Sequence, residues 1–230
     1  MGLFEKHAPR PMARTLRVLA RLLGYPDADL RAHLPELRAA LHTEQAVSAQ
    51  RLAELDALIG TLARRDALDV EADYVQLFDS GRRTALHLFE HVHGDSRDRG
   101  PAMIDWGRKE LNIAEGEMPD HLPVVLEFAS TQPPREAAAF LGEIAHLINT
   151  IFAALDQRQS RYASVMGALL DLAGVPAQAV QVPAEEPLDD SWSEPAAFDG
   201  CTSAGQGRSD HTQPVHIVRR GPSAQPGATA

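Results

Sequence analysis

The chain has 230 residues, of which 44% are hydrophobic, and its 22 Lys and Arg against 32 Asp and Glu give a formal net charge of −10 at pH 7. A net charge of this sign argues against general nucleic-acid binding and against docking on anionic membranes, because both need clustered basic side chains. The single cysteine, Cys201, excludes an internal disulfide, a CxxC redox pair and a cysteine-based zinc site. Since no apolar run approaches the roughly 20 residues that cross a bilayer, we expect a cytoplasmic protein.

Apolar residues recur at helical spacing from about residue 12 to residue 174, and no stretch shows the alternation of a strand. This pattern predicts an all-α fold, a single-domain helical bundle of about seven to nine helices. We expect residues 1–11 to be flexible, residues 12–174 to form the helical domain, and residues 175–230 to be a mostly disordered tail. The tail contains seven prolines, and its aromatic residues are Trp192 and Phe198.

Four helices are predicted in the first half of the chain. The first ends at Gly24, the second begins at an N-cap Asp27 and bends at Pro35, and the fourth ends at Gly81. Their apolar stripes are, in chain order, Leu16 to Leu23, Leu30 to Leu41, Leu52 to Leu62 and Val70 to Phe78.

Three helices are predicted in the second half. Asp120 is expected to cap a short helix, and a long helix is expected to follow Pro133 without a break as far as Leu155. Ser160 is expected to open the last helix, which Gly174 closes.

Residues 86–100, which read LHLFEHVHGDSRDRG, depart from the amphipathic pattern around them. Three interpretations of this segment stay open. The first is a metal site in which His87 and His91 are joined by His93 or Asp95. The second is acid–base catalysis by a histidine–carboxylate pair, and the third is a hydrogen-bond and salt-bridge network that holds an irregular turn. The arginine and aspartate members of that network are Arg97, Asp98 and Arg99.

Three motifs resemble the NarJ-type nitrate reductase assembly chaperones, which belong to a wider set of helical chaperones for molybdenum oxidoreductases. They are YVQLFD at residues 74–79, LHLFEHVHGDSRDRGPAMID at 86–105 and MPDHLPVVLEF at 118–128. LGYP at 23–26 and DSWSEP at 190–195 fit the same pattern. The connector between the second and third motifs is about four residues shorter than is usual in the family, which is roughly one helical turn.

This resemblance implies an all-α cytoplasmic protein that catalyses no reaction and holds no cofactor or metal of its own. It implies that the chain binds the N-terminal segment of the apo catalytic subunit of respiratory nitrate reductase and supports molybdenum cofactor insertion before membrane attachment. The partner-binding residues that it implies are Tyr74, Leu77, Phe78, His87, Phe89, Glu90, His91, His93, Arg97, Asp98, Asp120, His121 and Glu127, together with Arg99 and Phe128.

A basic amphipathic client segment would fold as a helix into an apolar groove with acidic walls. We place that groove beside residues 86–99, where Glu90, Asp95 or Asp98 would face client arginines or lysines. We expect a monomer or a weak dimer. The alternatives are a metal-dependent hydrolase that uses His87, His91 and His93, and an adaptor that acts through its tail.

Overall fold

The computed structural model describes residues 11–80, 82–92 and 118–178, all of which belong to the first of two compact units, Met1–Glu185. These residues form nine helices, and their only β pairing is one isolated bridge. The helices are α1 Ala13–Leu22, α2 Ala28–Glu44, α3 Ala49–Arg64, α4 Ala67–Phe78, α5 Leu88–Val92, α6 Leu122–Thr131, α7 Pro134–Glu143, α8 Ala145–Gln157 and α9 Ala163–Ala173. The prediction of an all-α bundle with seven to nine helices is confirmed.

Local sequence sets several of the helix ends. The carboxylate of Asp27 accepts a hydrogen bond from the Leu30 amide at 2.7 Å, which confirms the predicted N-cap of α2. Ser48 caps α3 in the same way through its hydroxyl oxygen. Gly174 ends α9 at φ 71°, a left-handed conformation that glycine adopts without steric cost.

Helix α9 lies at the centre of the bundle, because every residue from Ala163 to Leu170 is buried. It packs against α1, α3, α7 and α8, while α1 also packs against α2 and α6. One continuous apolar core therefore joins both halves of the chain, and the surfaces that remain for binding lie between helix edges.

The prediction of one long helix after Pro133 is wrong. The segment divides into α7 and α8, which meet at an angle of 66° at Ile144, a buried residue with φ −96° and ψ 4°. The bend lets α7 and α8 both pack against α9. A straight helix would carry one of the two apolar stripes away from α9, so burial of both stripes favours the break.

Two other predicted boundaries need adjustment. Helix α9 begins at Ala163, because Ser160 instead opens a turn in which its carbonyl accepts from the Ala163 amide at 3.1 Å. Helix α4 ends at Phe78, whereas the predicted stop at Gly81 falls outside the described residues. Residues 1–10 and 179–230 also fall outside them, so the predictions of a flexible N-terminus and a disordered tail stay predictions.

Within residues 11–80, 82–92 and 118–178, no single helix has both the length and the apolar character to cross a membrane. The bent pair of α7 and α8 meets those criteria by length and composition when the two helices are taken together.

Candidate functional site

The segment that leads into α5 is tied to the segment that leads into α6. His87 and His121 form the isolated antiparallel bridge. The Leu88 amide donates to the Asp120 carbonyl at 3.0 Å, and the Leu122 amide donates to the Leu86 carbonyl at 2.8 Å. Two motifs that are distant in sequence are therefore held side by side by backbone hydrogen bonds.

Asp120 lies at the centre of this junction and is 1% exposed. Its carboxylate accepts a hydrogen bond from the Phe89 amide at 3.3 Å and another from His87 Nδ1 at 3.4 Å. Burial acts to raise the pKa of Asp120. The hydrogen bonds from His87 and Phe89, together with the electrostatic attraction of the His87 imidazole, outweigh burial and hold the pKa below its ordinary value.

The prediction that Asp120 caps α6 is consequently wrong. The N-cap residue of α6 is His121, whose side chain makes no capping hydrogen bond. The Asp120 carboxylate turns instead to donors on the α5 segment, since a buried carboxylate needs partners and these lie within reach.

Two imidazoles interact with the buried carboxylate, and a third, that of His91, lies on the adjoining helix α5. The rings of His87 and His121 stack with centroids 4.9 Å apart and planes inclined by 27°. Burial lowers the pKa of His121, and the neighbouring His87 lowers it further. Burial also lowers the pKa of His91, whose Nε2 donates to the Ala85 carbonyl at 2.9 Å. We call His87, His91, Asp120 and His121 the histidine corner.

The histidine corner does not show a metal-binding arrangement in the part of the chain that the structure describes. No group of three His, Cys, Asp or Glu side chains there could hold a metal ion. The Nε2 of His91 is directed at a backbone carbonyl, and His87 Nδ1 at a carboxylate. These contacts fit the interpretation of a hydrogen-bond network that holds an irregular turn. His93 and Asp95, the other proposed ligands, fall outside the described residues.

Tyr74 and Phe78, two of the residues implied by the resemblance, are buried in the core at 7% and 4% exposed. The Tyr74 hydroxyl donates to the Leu23 carbonyl at 2.7 Å, and its ring centroid lies 4.8 Å from that of Phe78. The Phe78 ring in turn meets Tyr162 edge-on at 5.1 Å. These contacts hold α4 against the bundle, and burial leaves Tyr74 and Phe78 almost no surface for a partner.

A groove with a volume of about 600 Å³ runs between α3, α4 and the turn before α9. Leu77, one of the partner-binding residues that the resemblance implies, lines this groove together with Tyr162. We call it the tyrosine groove; its lining residues are Leu58, Thr61, Leu62, Arg65, Val70, Asp73, Gln76, Leu77, Ser80, Arg158, Gln159, Ser160, Arg161 and Tyr162. The Thr84 hydroxyl donates to the Leu77 carbonyl, so the groove and the segment of the histidine corner are adjacent along the chain.

Glu127 lies elsewhere. It is exposed and lines a separate groove of about 640 Å³, whose other residues are Arg14, Arg17, Val18, Arg21, Leu37, Ala40, Ser130 and Thr131. The structure therefore does not bring Glu127 together with the histidine corner. Phe128, from the same motif, packs edge-on against Phe140 with ring centroids 5.8 Å apart.

Phe89 and Glu90 are partly buried on the short helix α5, beside the histidine corner. The remaining residues implied by the resemblance, His93, Arg97, Asp98 and Arg99, fall outside the described residues.

Comparison with known proteins identifies the family. The family model described as nitrate reductase delta subunit matches residues 25–166, which include the histidine corner and every residue that lines the tyrosine groove. The nitrate reductase molybdenum cofactor assembly chaperone NarJ of Escherichia coli K12 is 40% identical over 191 residues, 80% of this chain and 80% of that protein.

Two further proteins are similar at lower identity. The probable nitrate reductase molybdenum cofactor assembly chaperone NarW of Escherichia coli K12 is 34% identical over 163 residues, 69% of this chain and 68% of that protein. A solved structure of a redox enzyme maturation protein from Archaeoglobus fulgidus is 19% identical, with 75% of this chain and 99% of that chain covered and a TM-score of 0.47. On the family match and the similarity to NarJ, the chain belongs to the nitrate reductase delta subunit family, as a relative of the NarJ-type molybdenum cofactor assembly chaperones.

Proposed function

We propose that this chain is a cytoplasmic chaperone dedicated to the apo catalytic subunit of respiratory nitrate reductase. In this proposal it binds the N-terminal segment of that subunit, supports insertion of the molybdenum cofactor, and holds the subunit back from membrane attachment until the cofactor is in place. The chain acts by binding and release and catalyses no reaction. The observation that carries the proposal is the 40% identity to a named assembly chaperone over 80% of both chains.

Physical features of the chain support a role in binding a basic segment. A net charge of −10 attracts a basic partner at long range and raises the association rate more than the affinity. Apolar side chains on the edges of α4 and α5 are available for contact, among them Val75 at 41% exposed and Val92 at 52% exposed. A client helix could bury its apolar face against such side chains.

The histidine corner gives this surface a fixed shape. Buried Asp120 and the His87–His121 bridge hold α5 in place, and α5 carries the partly buried Glu90 and the exposed Val92. We propose that client arginines or lysines contact Glu90 and, from the same motif, Asp98. In this proposal His87, Phe89, His91 and His121 support the contact through α5.

Calorimetric titration of the full chain with a synthetic peptide of the client's leading segment tests the proposal. We expect saturable binding by the wild type. The double variant Glu90→Ala with Asp98→Ala should bind about 3- to 10-fold more weakly, since each exposed charge contact is worth up to about 1 kcal/mol.

The double variant Glu36→Ala with Glu143→Ala is a matched control. It removes the same two charges from exposed positions on α2 and α7, away from the histidine corner. If both double variants lose the same affinity, only the net charge matters and the placement at Glu90 is wrong. If the wild type fails to bind the peptide, the proposed function is wrong.

A pull-down from a lysate that lacks molybdenum cofactor identifies the client independently. We expect the large catalytic subunit of nitrate reductase to be captured by the full chain. Capture of that subunit should decline when the lysate is supplied with cofactor, because a loaded subunit no longer needs the chaperone.

A further inference from the structure

The tyrosine groove contains a buried polar atom that has no partner among the described residues. Tyr162 is 7% exposed, and its hydroxyl makes no hydrogen bond there. The other two tyrosines of the same cluster are satisfied, since Tyr74 donates to the Leu23 carbonyl and Tyr25 to Glu71. Buried hydroxyls nearly always have a partner, so this exception calls for an explanation.

The surroundings of the hydroxyl favour its use as a donor. Burial raises the pKa of Tyr162, and the nearby Tyr74 and Asp73 raise it further, so the phenol keeps its proton throughout the physiological range. The polar rim of the groove carries three arginines against one aspartate. This local balance is opposite to that of the whole chain and favours a ligand group with acceptor oxygens.

The remaining lining suits the apolar face of a helix. Leu58, Leu62, Val70 and Leu77 lie along the groove. The Arg65–Asp73 ion pair stands at the rim with both side chains about half exposed, so the pair can rotate when a ligand enters.

We propose that Tyr162 determines the register in which the client segment binds. Its hydroxyl donates to a carboxylate or amide oxygen on one side chain of the client helix, while apolar side chains on either side of that position rest on the leucines and valine of the groove. This inference rests on the proposed function, because it assigns to the client's leading segment a second contact beyond α5.

The variant Tyr162→Phe removes only the hydroxyl. Tyr25→Phe, in the same aromatic cluster, is the matched control for binding, because it removes only the hydroxyl that donates to Glu71. In calorimetric titrations of the full chain with the client peptide, we expect Tyr162→Phe to weaken binding about 10-fold and Tyr25→Phe to leave it unchanged. Urea denaturation of the unliganded chain compares stability, with Tyr74→Phe as the control. Tyr74→Phe should lower the midpoint, because it leaves the Leu23 carbonyl without its donor, whereas Tyr162→Phe should leave the midpoint unchanged or raise it.

A scan of the peptide identifies the acceptor. Each Asp, Glu, Asn and Gln of the client segment is replaced in turn by Leu and titrated against the wild type and Tyr162→Phe. One of these peptide substitutions should weaken binding to the wild-type chain but not weaken binding to Tyr162→Phe any further. Such non-additivity indicates that the replaced peptide side chain and the Tyr162 hydroxyl contact each other directly.

The outcomes separate the two claims. Equal affinities of the wild type and Tyr162→Phe would overturn the inference and leave the proposed function standing. A large fall in the urea midpoint of Tyr162→Phe would also overturn it, because the hydroxyl would then have a partner within the chain. Absence of binding by the wild type would overturn both.

Discussion

Removal of the buried charge at Asp120 tests how the histidine corner is held together. The substitution Asp120→Asn keeps the size of the side chain but leaves one acceptor oxygen for two donors, the Phe89 amide at 3.3 Å and His87 Nδ1 at 3.4 Å. A hydrogen bond to a charged acceptor contributes about 1.5–3 kcal/mol, and a buried donor left without a partner costs about 1–3 kcal/mol. Because both distances are long, we expect a total loss near the lower ends of these ranges, about 2–3 kcal/mol.

Urea denaturation at pH 7.5 measures this loss as a change in the free energy of unfolding. Asp29→Asn is the matched control, since Asp29 pairs with Arg21 at the surface and is 64% exposed in its side chain. An exposed ion pair contributes at most about 1 kcal/mol. Should Asp120→Asn cost no more than Asp29→Asn, the carboxylate would not be the element that joins α5 to α6, and the account of the corner would have to be abandoned.

Other predictions concern pH, packing and the tail. Burial holds the pKa of His91 and His121 below the ordinary value of 6.5, so below that pH the unfolded chain binds more protons than the folded chain. The stability that these two neutral histidines contribute is therefore fully present above about pH 6.5 and is lost as the pH falls. Denaturation at pH 7.5 and 5.5 should show this loss, and substitution of both histidines by Gln should reduce it; an unchanged difference would contradict the assignment. Gly167→Ala should destabilise the wild type, because the new Cβ would lie 2.4 Å from the Arg51 guanidinium carbon. In an Arg51→Ala background the same substitution should stabilise the chain by about 0.5–1 kcal/mol in thermal unfolding, and equal effects in both backgrounds would refute the clash. Truncation after Gln178 should leave peptide affinity within about twofold by calorimetry, because the grooves lie wholly before that residue, and loss of binding would favour the adaptor that acts through the tail.

Local chemistry explains which parts of the fold could be predicted from the sequence. Asp27 and Gly174 act within one helical turn of their own positions, so the helix ends that they set follow directly from residue type. The break at Ile144 could not be found in this way, because no Pro or Gly stands at that position and the bend serves packing against α9. Residue type alone predicts a cap at Asp120, because its actual hydrogen-bond partners are separated from it by more than thirty residues in sequence.

The same distinction between local residue type and tertiary contacts applies to the candidate site. The structure brings the motif residues His87 and His121 together, whereas Glu127, from the same motif as His121, lies in another groove because helical rotation points it toward α1. Tyr162 carried no sequence motif at all. Its unsatisfied hydroxyl is a property of its three-dimensional surroundings, and only the assembled bundle reveals it.

The bridge between His87 and His121 fixes the chain at two positions that are far apart in sequence. The length of sequence between them therefore enters the stability of the bundle as the entropy of closing a loop. Loop-closure entropy grows with the logarithm of length, and a change of four residues in a loop of this size alters the free energy by only about 0.1 kcal/mol. A difference of four residues in the sequence between His87 and His121 therefore costs the helices almost no stability.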